Sequence, residues 1–267
     1  MLLTLATGSF ARLIGQGGGG SENGRVRPFD LPQYAITHLQ LRGLNVPASL
    51  LAGWSLDQID RLRDRADKAG CPCLVLIEDA PLAIGSRDEA EQEAAGERIR
   101  RLSAAAHRLG CNAIGIHCVG ENDDETFDRT AESVRDVMRE VERMELNLLL
   151  APHEGLTQEP DRLTELIKRI GGFRIGSLPS FGHAAQTKNP IHTLRQLAPY
   201  AGAIHATVSE FTKAGKHKAY DLNEYVRAIR SVGFVNTLAI DYVGSGDAPA
   251  AIELARTALE EALAEEL

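Results

Sequence analysis

Histidine and acidic side chains recur in this sequence directly after short apolar runs. Four of the eight histidines do so, and two carboxylates stand in comparable places: His117, His153, His183, His205, Glu154 and Asp241. Imidazole and carboxylate groups together suit a divalent transition metal such as Zn, Mn or Fe. The same groups suit general acid–base catalysis without a metal. Because the residues come from separate stretches of chain, their spacing does not distinguish the two chemistries.

The elements that must position these groups follow a repeating order, in which a short apolar run precedes a loop and a long amphipathic run. The apolar runs are rich in Ile, Leu, Val and Ala, which is typical of strands buried on both faces. They lie at residues 2–7, 39–45, 71–77, 112–117, 146–150, 174–177, 203–206 and 237–241. The amphipathic runs predict helices at residues 55–69, 87–109, 123–144, 159–170, 189–197, 221–232 and 247–265, and the shortest helix begins at residues 30–32.

Eight strands alternating with eight helices predict a parallel α/β sheet. For 267 residues, closure into a single (β/α)8 TIM barrel domain spanning residues 1–267 is the simplest arrangement. A doubly wound open sheet is the alternative, and it usually carries a glycine-rich turn that leads directly into a helix. The glycine-rich loop at residues 15–24 leads into no such helix. We interpret it as a flexible surface loop or as a mobile lid over the barrel mouth.

In a (β/α)8 barrel, the C-terminal ends of the strands and the loops after them build the active site. The histidines and carboxylates named above all fall there. Eight more polar residues share this position: Ser9, Arg12, Asn45, Glu78, Asp79, Ser180, Glu210 and Tyr242. Arg12 and Glu78 are candidates for contact with a substrate, and each equally fits a structural role at the rim.

Composition and charge exclude several classes of partner. The net charge is −8 and aromatic residues make up 5% of the chain, whereas nucleic-acid binding calls for basic patches and aromatic stacking surfaces. No apolar stretch approaches the roughly 18–20 residues of a membrane span, so we expect no membrane partner. The cysteines Cys71, Cys73, Cys111 and Cys118 fall in or beside predicted buried strands and predict packing thiols in a reducing, cytoplasmic compartment. Assembly into a homo-oligomer stays open.

Three segments of the second half carry a family resemblance. They read LLLAPHEGLTQEPDRLTELIKRIGGFRIGSLPSFGHA from residue 148, LAPYAGAIHATVSEF from residue 197 and LAIDYVGSGD from residue 238. These segments resemble the strand 5 to strand 8 blocks of xylose-isomerase-like TIM barrels, the sugar phosphate isomerase/epimerase family, which is related to the apurinic endonuclease barrels. The first half resembles that family only in the order of its elements.

The resemblance implies one divalent metal held by Glu, Asp, His and Glu from strands 5, 6, 7 and 8. The corresponding positions here are Ala151, Ser180, His205 and Asp241, and the family's lysine after the strand 7 histidine corresponds to Thr207. Alanine cannot coordinate a metal and a neutral serine is a poor ligand. The two glutamates also form the family's acid–base pair, so that pair is incomplete in this chain.

Three explanations follow. In the first, the metal site has moved to Glu154, His183, His205 and Asp241, joined by His117 or His153, and holds Mn, Zn or Fe. His183 also stands where the endonuclease-like branch has a histidine after its aspartate. In the second, the protein catalyses without a metal, and histidines act as acid and base. In the third, it is a non-catalytic descendant that binds a small sugar-like ligand or serves as a scaffold.

If the protein is an enzyme, the resemblance implies a carbohydrate-like substrate and proton transfer next to a carbonyl. The candidate catalytic residues are His205, Asp241 and Glu154. The candidate substrate-binding residues are His117, His153, Arg12 and Glu78.

Overall fold

The computed structural model describes residues 1–10 and 26–265. Its centre is one sheet of eight parallel strands in the order β6-β5-β4-β3-β2-β1-β8-β7, which confirms the predicted barrel. The strands are β1 Leu2–Ala6, β2 Leu44–Pro47, β3 Cys73–Ile77, β4 Ala113–His117, β5 Asn147–Ala151, β6 Ile175–Ser177, β7 Ala203–Val208 and β8 Thr237–Tyr242. Arg12 and the glycine-rich loop at 15–24 lie outside the described residues.

The barrel closes between β6 and β7 through the segment that follows β6. β6 has only three residues, and the remaining contacts come from isolated bridges. The Gly202 N–H donates to the Ser177 carbonyl at 3.2 Å, and the His205 N–H donates to the Pro179 carbonyl at 3.0 Å. Ser180 therefore lies beside His205, although it is not in a strand.

Nine α-helices surround the strands in the described part of the chain. They are α1 Leu31–Leu39, α2 Leu56–Ala69, α3 Glu89–Leu109, α4 Asp124–Arg143, α5 Pro160–Ile170, α6 Phe181–Gln186, α7 Pro190–Leu197, α8 Leu222–Arg230 and α9 Ala248–Ala264. None of these helices is long and apolar enough to cross a membrane. A capping box begins α2, where Ser55 and Gln58 each bond to the other's backbone N–H, satisfying two N–H groups that the helix leaves free.

The predicted start of the second strand was wrong, and one helix was not predicted. The second strand was placed at residues 39–45, but Leu39 ends α1 and Gln40 takes a left-handed conformation with φ of 57°, so β2 starts only at Leu44. The apolar run at residues 39–45 therefore contains both the end of α1 and the start of β2. The short helix α6 was missed, because its six residues are too few to show helical periodicity.

The barrel interior supports the strand ends from below. A small buried cluster comprises Val75, Ala113, Leu149, Ala151, Leu178 and Ala203. A larger core lies between the sheet and the surrounding helices. The four cysteines are buried free thiols, and burial raises the pKa of Cys71, Cys111 and Cys118 to about 12. The thiols therefore stay protonated and pack as small apolar groups.

Replacing Ser55 by alanine removes the side-chain acceptor of the α2 capping box, and we expect it to lower the free energy of unfolding by about 1 kcal/mol. Urea unfolding followed by circular dichroism measures this change. Ser49→Ala is the matched control, since in the described structure Ser49 is hydrogen-bonded through its backbone, to Asp79 and Ala52, and not through its hydroxyl. Equal stability of the two variants would show that the cap does not stabilise the barrel.

Candidate active site

A cavity of about 320 Å³ opens at the C-terminal ends of the barrel strands. Ala151 and Leu178 line it and also belong to the interior cluster, so that cluster forms its floor. Its polar wall brings together seven of the residues that the sequence placed at the rim: Asn45, Glu78, Asp79, His117, Ser180, His205 and Asp241. The cavity lies within the size range of small-molecule sites in proteins.

The four positions that correspond to the family's metal ligands all line this one cavity. They are Ala151, Ser180, His205 and Asp241. Ala151 ends β5 and presents no donor atom. The Ser180 hydroxyl accepts the His183 N–H at 3.0 Å and so caps α6. The strands therefore keep the convergence that the resemblance implies, while two of the four positions, Ala151 and Ser180, have no carboxylate.

Asn45, His205 and Asp241 form a chain of polar contacts across the cavity wall. The Asn45 side-chain nitrogen lies 3.1 Å from His205 Nε2, and His205 Nδ1 lies 3.9 Å from Asp241 Oδ2. With the Asn45 amide as donor, Nε2 accepts and the imidazole proton sits on Nδ1, facing Asp241. At 3.9 Å the carboxylate is within electrostatic range but outside hydrogen-bonding distance, so its oxygens remain open to a ligand.

Burial determines the charge of His205. Desolvation lowers the pKa of this imidazole, and the nearby Asp241 carboxylate opposes the shift in part. The direction follows from the cost of a charged ring in a poorly solvated place. His205 is therefore a neutral ring beside Asp241, and its Nε2 is already engaged by Asn45.

His117 is the second imidazole of the cavity. Burial lowers its pKa, and the neighbouring His153 ring adds to that shift, lying edge-on with 5.7 Å between centroids. His117 Nδ1 is buried and has no hydrogen-bond partner within the described residues. The Nδ1 atom of His153 lies 3.1 Å from the carbonyl of the adjacent residue, Glu154. His117 thus faces the cavity, whereas His153 supports it from behind.

Glu78 and Asp79 end β3 with different environments. Glu78 is 4% exposed, forms an ion pair with Arg98 and accepts the Ala80 N–H at 3.3 Å. Asp79 is exposed, and its Oδ2 accepts the Ser49 N–H at 2.7 Å. The Glu78 charge is compensated by Arg98, which favours its structural role at the rim over direct substrate chemistry.

Glu154 and His183 lie in a different place. They line a separate polar cleft of about 610 Å³, together with residues of the loop between α6 and α7. The four-residue metal set predicted from the sequence is therefore divided between two pockets. Throughout residues 1–10 and 26–265, no three His, Cys, Asp or Glu side chains converge as a metal site requires. The residues present do not fit the family's metal.

The remaining rim candidates hold the loops in place. The Tyr242 N–H donates to Ser9 Oγ at 2.7 Å, and the Tyr242 hydroxyl accepts the Gly246 N–H at 2.7 Å. Glu210 pairs with Lys218 at 2.7 Å. Thr207, at the family's lysine position, packs against Gly182 instead of lining the cavity. The role missed by the sequence is that of Asn45, because its contact with His205 joins residues 160 positions apart.

Comparison with known proteins agrees with the fold. A family model described as a xylose isomerase-like TIM barrel matches residues 36–263. The chain belongs to this family. No protein of curated function matches significantly.

Solved structures of the same fold include sugar epimerases. An L-ribulose 3-epimerase is 17% identical, with a TM-score of 0.73 over 84% of this chain and 86% of that one. The D-psicose 3-epimerase of Clostridium cellulolyticum H10, solved with D-tagatose, is 14% identical, with a TM-score of 0.74 over 98% and 97% of the two chains. An IolI protein solved with a zinc atom is 12% identical, with a TM-score of 0.75 over 98% of each chain. At these identities the likeness extends to the fold alone.

Replacing His117 by glutamine tests the charge of the buried imidazole. The lowered pKa of His117 means that the unfolded chain binds its proton first as the pH falls. This residue therefore contributes stability above about pH 6.5, the value for an unfolded histidine, and loses it progressively below that pH. The free energy of unfolding should fall less steeply between about pH 6.5 and pH 5 in His117→Gln than in the wild type.

Urea unfolding at a series of pH values measures this difference in steepness. Above about pH 7.5, the free energies of unfolding of the two proteins should change with pH in the same way, because His117 is neutral there in both the folded and the unfolded wild type. This range provides the internal control. Identical steepness at acidic pH would mean that His117 is charged in the folded protein.

Proposed function

We propose that the protein binds a small carbohydrate-like carbonyl compound in the central cavity and moves a proton next to the carbonyl without the family's metal ligand set. The observation that supports this most strongly is the Asn45–His205–Asp241 chain. It places the Asp241 carboxylate at the cavity wall, 3.9 Å from a neutral imidazole that contacts Asn45. A positioned carboxylate of this kind is suited to act as a general base.

The cavity wall also suits a polyhydroxylated ligand. Asn45 Oδ1 is buried and without a hydrogen-bond partner among the described residues, so it is ready to accept from a ligand hydroxyl. The Ser180 oxygen accepts from α6, which leaves its own O–H to donate. Apolar surface from Pro47, Ile77 and Leu178 completes the lining. A sugar likewise presents both hydrogen-bonding and apolar groups, so it is complementary to this lining.

In the proposed reaction, Asp241 takes the proton from the carbon next to the carbonyl. Negative charge then grows on the carbonyl oxygen, and the neutral His117 ring is placed in the cavity to polarise or protonate that oxygen. A neutral imidazole can serve in this way, because its pKa is closer to that of the enediol it stabilises. The proton then returns from Asp241 to the neighbouring carbon on the same face, and His117 takes the hydroxyl proton from the oxygen that becomes the new carbonyl, which gives the isomerised product.

A second function is favoured by Ala151. In the resemblance this position holds one glutamate of the acid–base pair, and here it presents a methyl group to the cavity. A chain that keeps Asp241 but lacks the second carboxylate retains a ligand-binding cavity with half of that pair. This supports a non-catalytic protein that binds a carbohydrate-like molecule.

Exchange of substrate hydrogen for deuterium distinguishes the two functions. A panel of aldoses and ketoses is incubated with the protein in D2O, and proton NMR reports loss of the signal next to the carbonyl. We expect exchange with at least one sugar, and a decrease of about 100-fold or more in Asp241→Asn, the range typical of a lost general base. Binding of that sugar should weaken far less, because the asparagine keeps the shape of the site.

Binding of a panel member without exchange would favour the non-catalytic protein. Neither binding nor exchange would contradict the proposed function. Glu154→Gln and His183→Gln should leave exchange at the wild-type rate, since both residues lie in the separate cleft. Loss of exchange in either would instead support the metal set that combines them with His205 and Asp241.

Metal removal gives an independent check. Exchange and binding should be unchanged after dialysis against EDTA, and added Zn²⁺ or Mn²⁺ should not increase them, because the donor atoms of the described residues do not converge as a bound ion requires. Elemental analysis of the purified protein by mass spectrometry accompanies the assay. Stoichiometric metal whose removal abolishes exchange would overturn the metal-free mechanism.

A further inference from the structure

Among the described residues, the charged side chains that line the central cavity are all acidic. Its described lining includes three carboxylates, Glu78, Asp79 and Asp241, and no lysine or arginine. We propose that this cavity selects a polyhydroxylated ligand bearing an ammonium group and rejects phosphorylated sugars. This inference rests on the proposed function, since it specifies which carbohydrate-like molecules the same site accepts.

Among the described residues, a cation compensates only one of the three carboxylates. Glu78 pairs with Arg98, whose side chain is 45% exposed and comes from α3 outside the barrel. Asp79 bonds to the Ser49 backbone N–H, which leaves its charge in place. Asp241 faces His205 at 3.9 Å. Two negative charges therefore act on a ligand in this cavity.

A phosphate group finds few partners in the described lining. It needs cations or clustered N–H donors to replace its water. The described lining offers two imidazoles, His117 and His205, beside three carboxylates, and the carboxylates repel an anion in a partly enclosed site.

A buried hydrogen-bond acceptor also supports selection of an ammonium group. Asn45 is 1% exposed, and its Oδ1 has no hydrogen-bond partner among the described residues. An ammonium group has three donors and no acceptor. It can therefore satisfy a carbonyl oxygen of this kind together with a carboxylate, and a buried polar atom gains most from such a partner.

Matched sugars test the charge preference directly. D-Fructose, 1-amino-1-deoxy-D-fructose and D-fructose 1-phosphate form one series, and D-glucose, D-glucosamine and D-glucose 6-phosphate form a second. Calorimetric titration at pH 7.5 in low salt, with EDTA present, gives the affinities. In the series that binds, we expect the amine to bind at least 10-fold more tightly than the neutral sugar, and the phosphate at least 10-fold more weakly. Added salt should reduce both differences.

Removing one cavity charge should change the ratios in a predictable direction. Asp79→Asn should lower the preference for the amine over the neutral sugar by about 5-fold and leave the affinity for the neutral sugar within 2-fold, because a charge is lost while the hydrogen bond to Ser49 can be kept. Glu121→Gln is the matched control, as it removes a charge from an exposed loop residue that does not line the cavity. Its ratios should equal those of the wild type.

The outcomes separate the two proposals. A phosphorylated sugar that binds as well as its neutral counterpart, or an amine that gains nothing, would overturn the charge selection and leave carbohydrate binding intact. An unchanged ratio in Asp79→Asn would likewise overturn the role of the carboxylates. Absence of binding by all six sugars would contradict the proposed function itself, and the charge selection with it.

Discussion

Closure of the barrel between β6 and β7 is the constraint on which the site depends. β6 is too short to pair along its length, so the chain after it continues alongside β7 through the bonds of Ser177 to Gly202 and of Pro179 to His205. Parallel strands that close into a ring present all their C-terminal ends at one mouth. Ser180 and His205 become neighbours in this way, and β8 then brings Asp241 to the other side of His205 through its pairing with β7.

Enclosure by these strand ends also determines the electrostatics. The same packing that buries His205 removes the water that would stabilise its charged form. The ring therefore contacts Asn45 without adding charge. Glu78 and Asp79 have N–H or guanidinium partners, whereas Asp241 lies beside the neutral ring. The described site thus combines neutral imidazoles with negative carboxylates.

The sequence predicted the barrel and most of its strand ends, because apolar runs of strand length and helical periodicity are local signals. It also predicted that His117, His205 and Asp241 would meet, since each directly ends or lies within a strand. It could not place Glu154 and His183. These residues lie in the β5–α5 loop and on α6, where the chain has turned away from the barrel axis into a separate cleft. Sheet geometry fixes where a residue at a strand end lies. The direction that the chain takes a few residues later depends on the conformation of the loop.

The contact of Asn45 with His205 was beyond local sequence patterns for a related reason. The predicted strand ended at Asn45, while β2 runs on to Pro47. Asn45 is therefore an interior strand residue whose backbone carbonyl accepts from Thr7 at 3.3 Å and whose side chain reaches across the barrel. Only tertiary packing identifies such a partner.

The cap that Ser180 provides for α6 has a consequence for how this site changes in evolution. Serine and aspartate are nearly equivalent as N-caps, since each offers an oxygen to the first free N–H groups of a helix. A lineage can therefore exchange one for the other at this position while α6 keeps its start and β6 its place beside β7. At this position, the chain can therefore gain or lose a metal-coordinating oxygen and still fold.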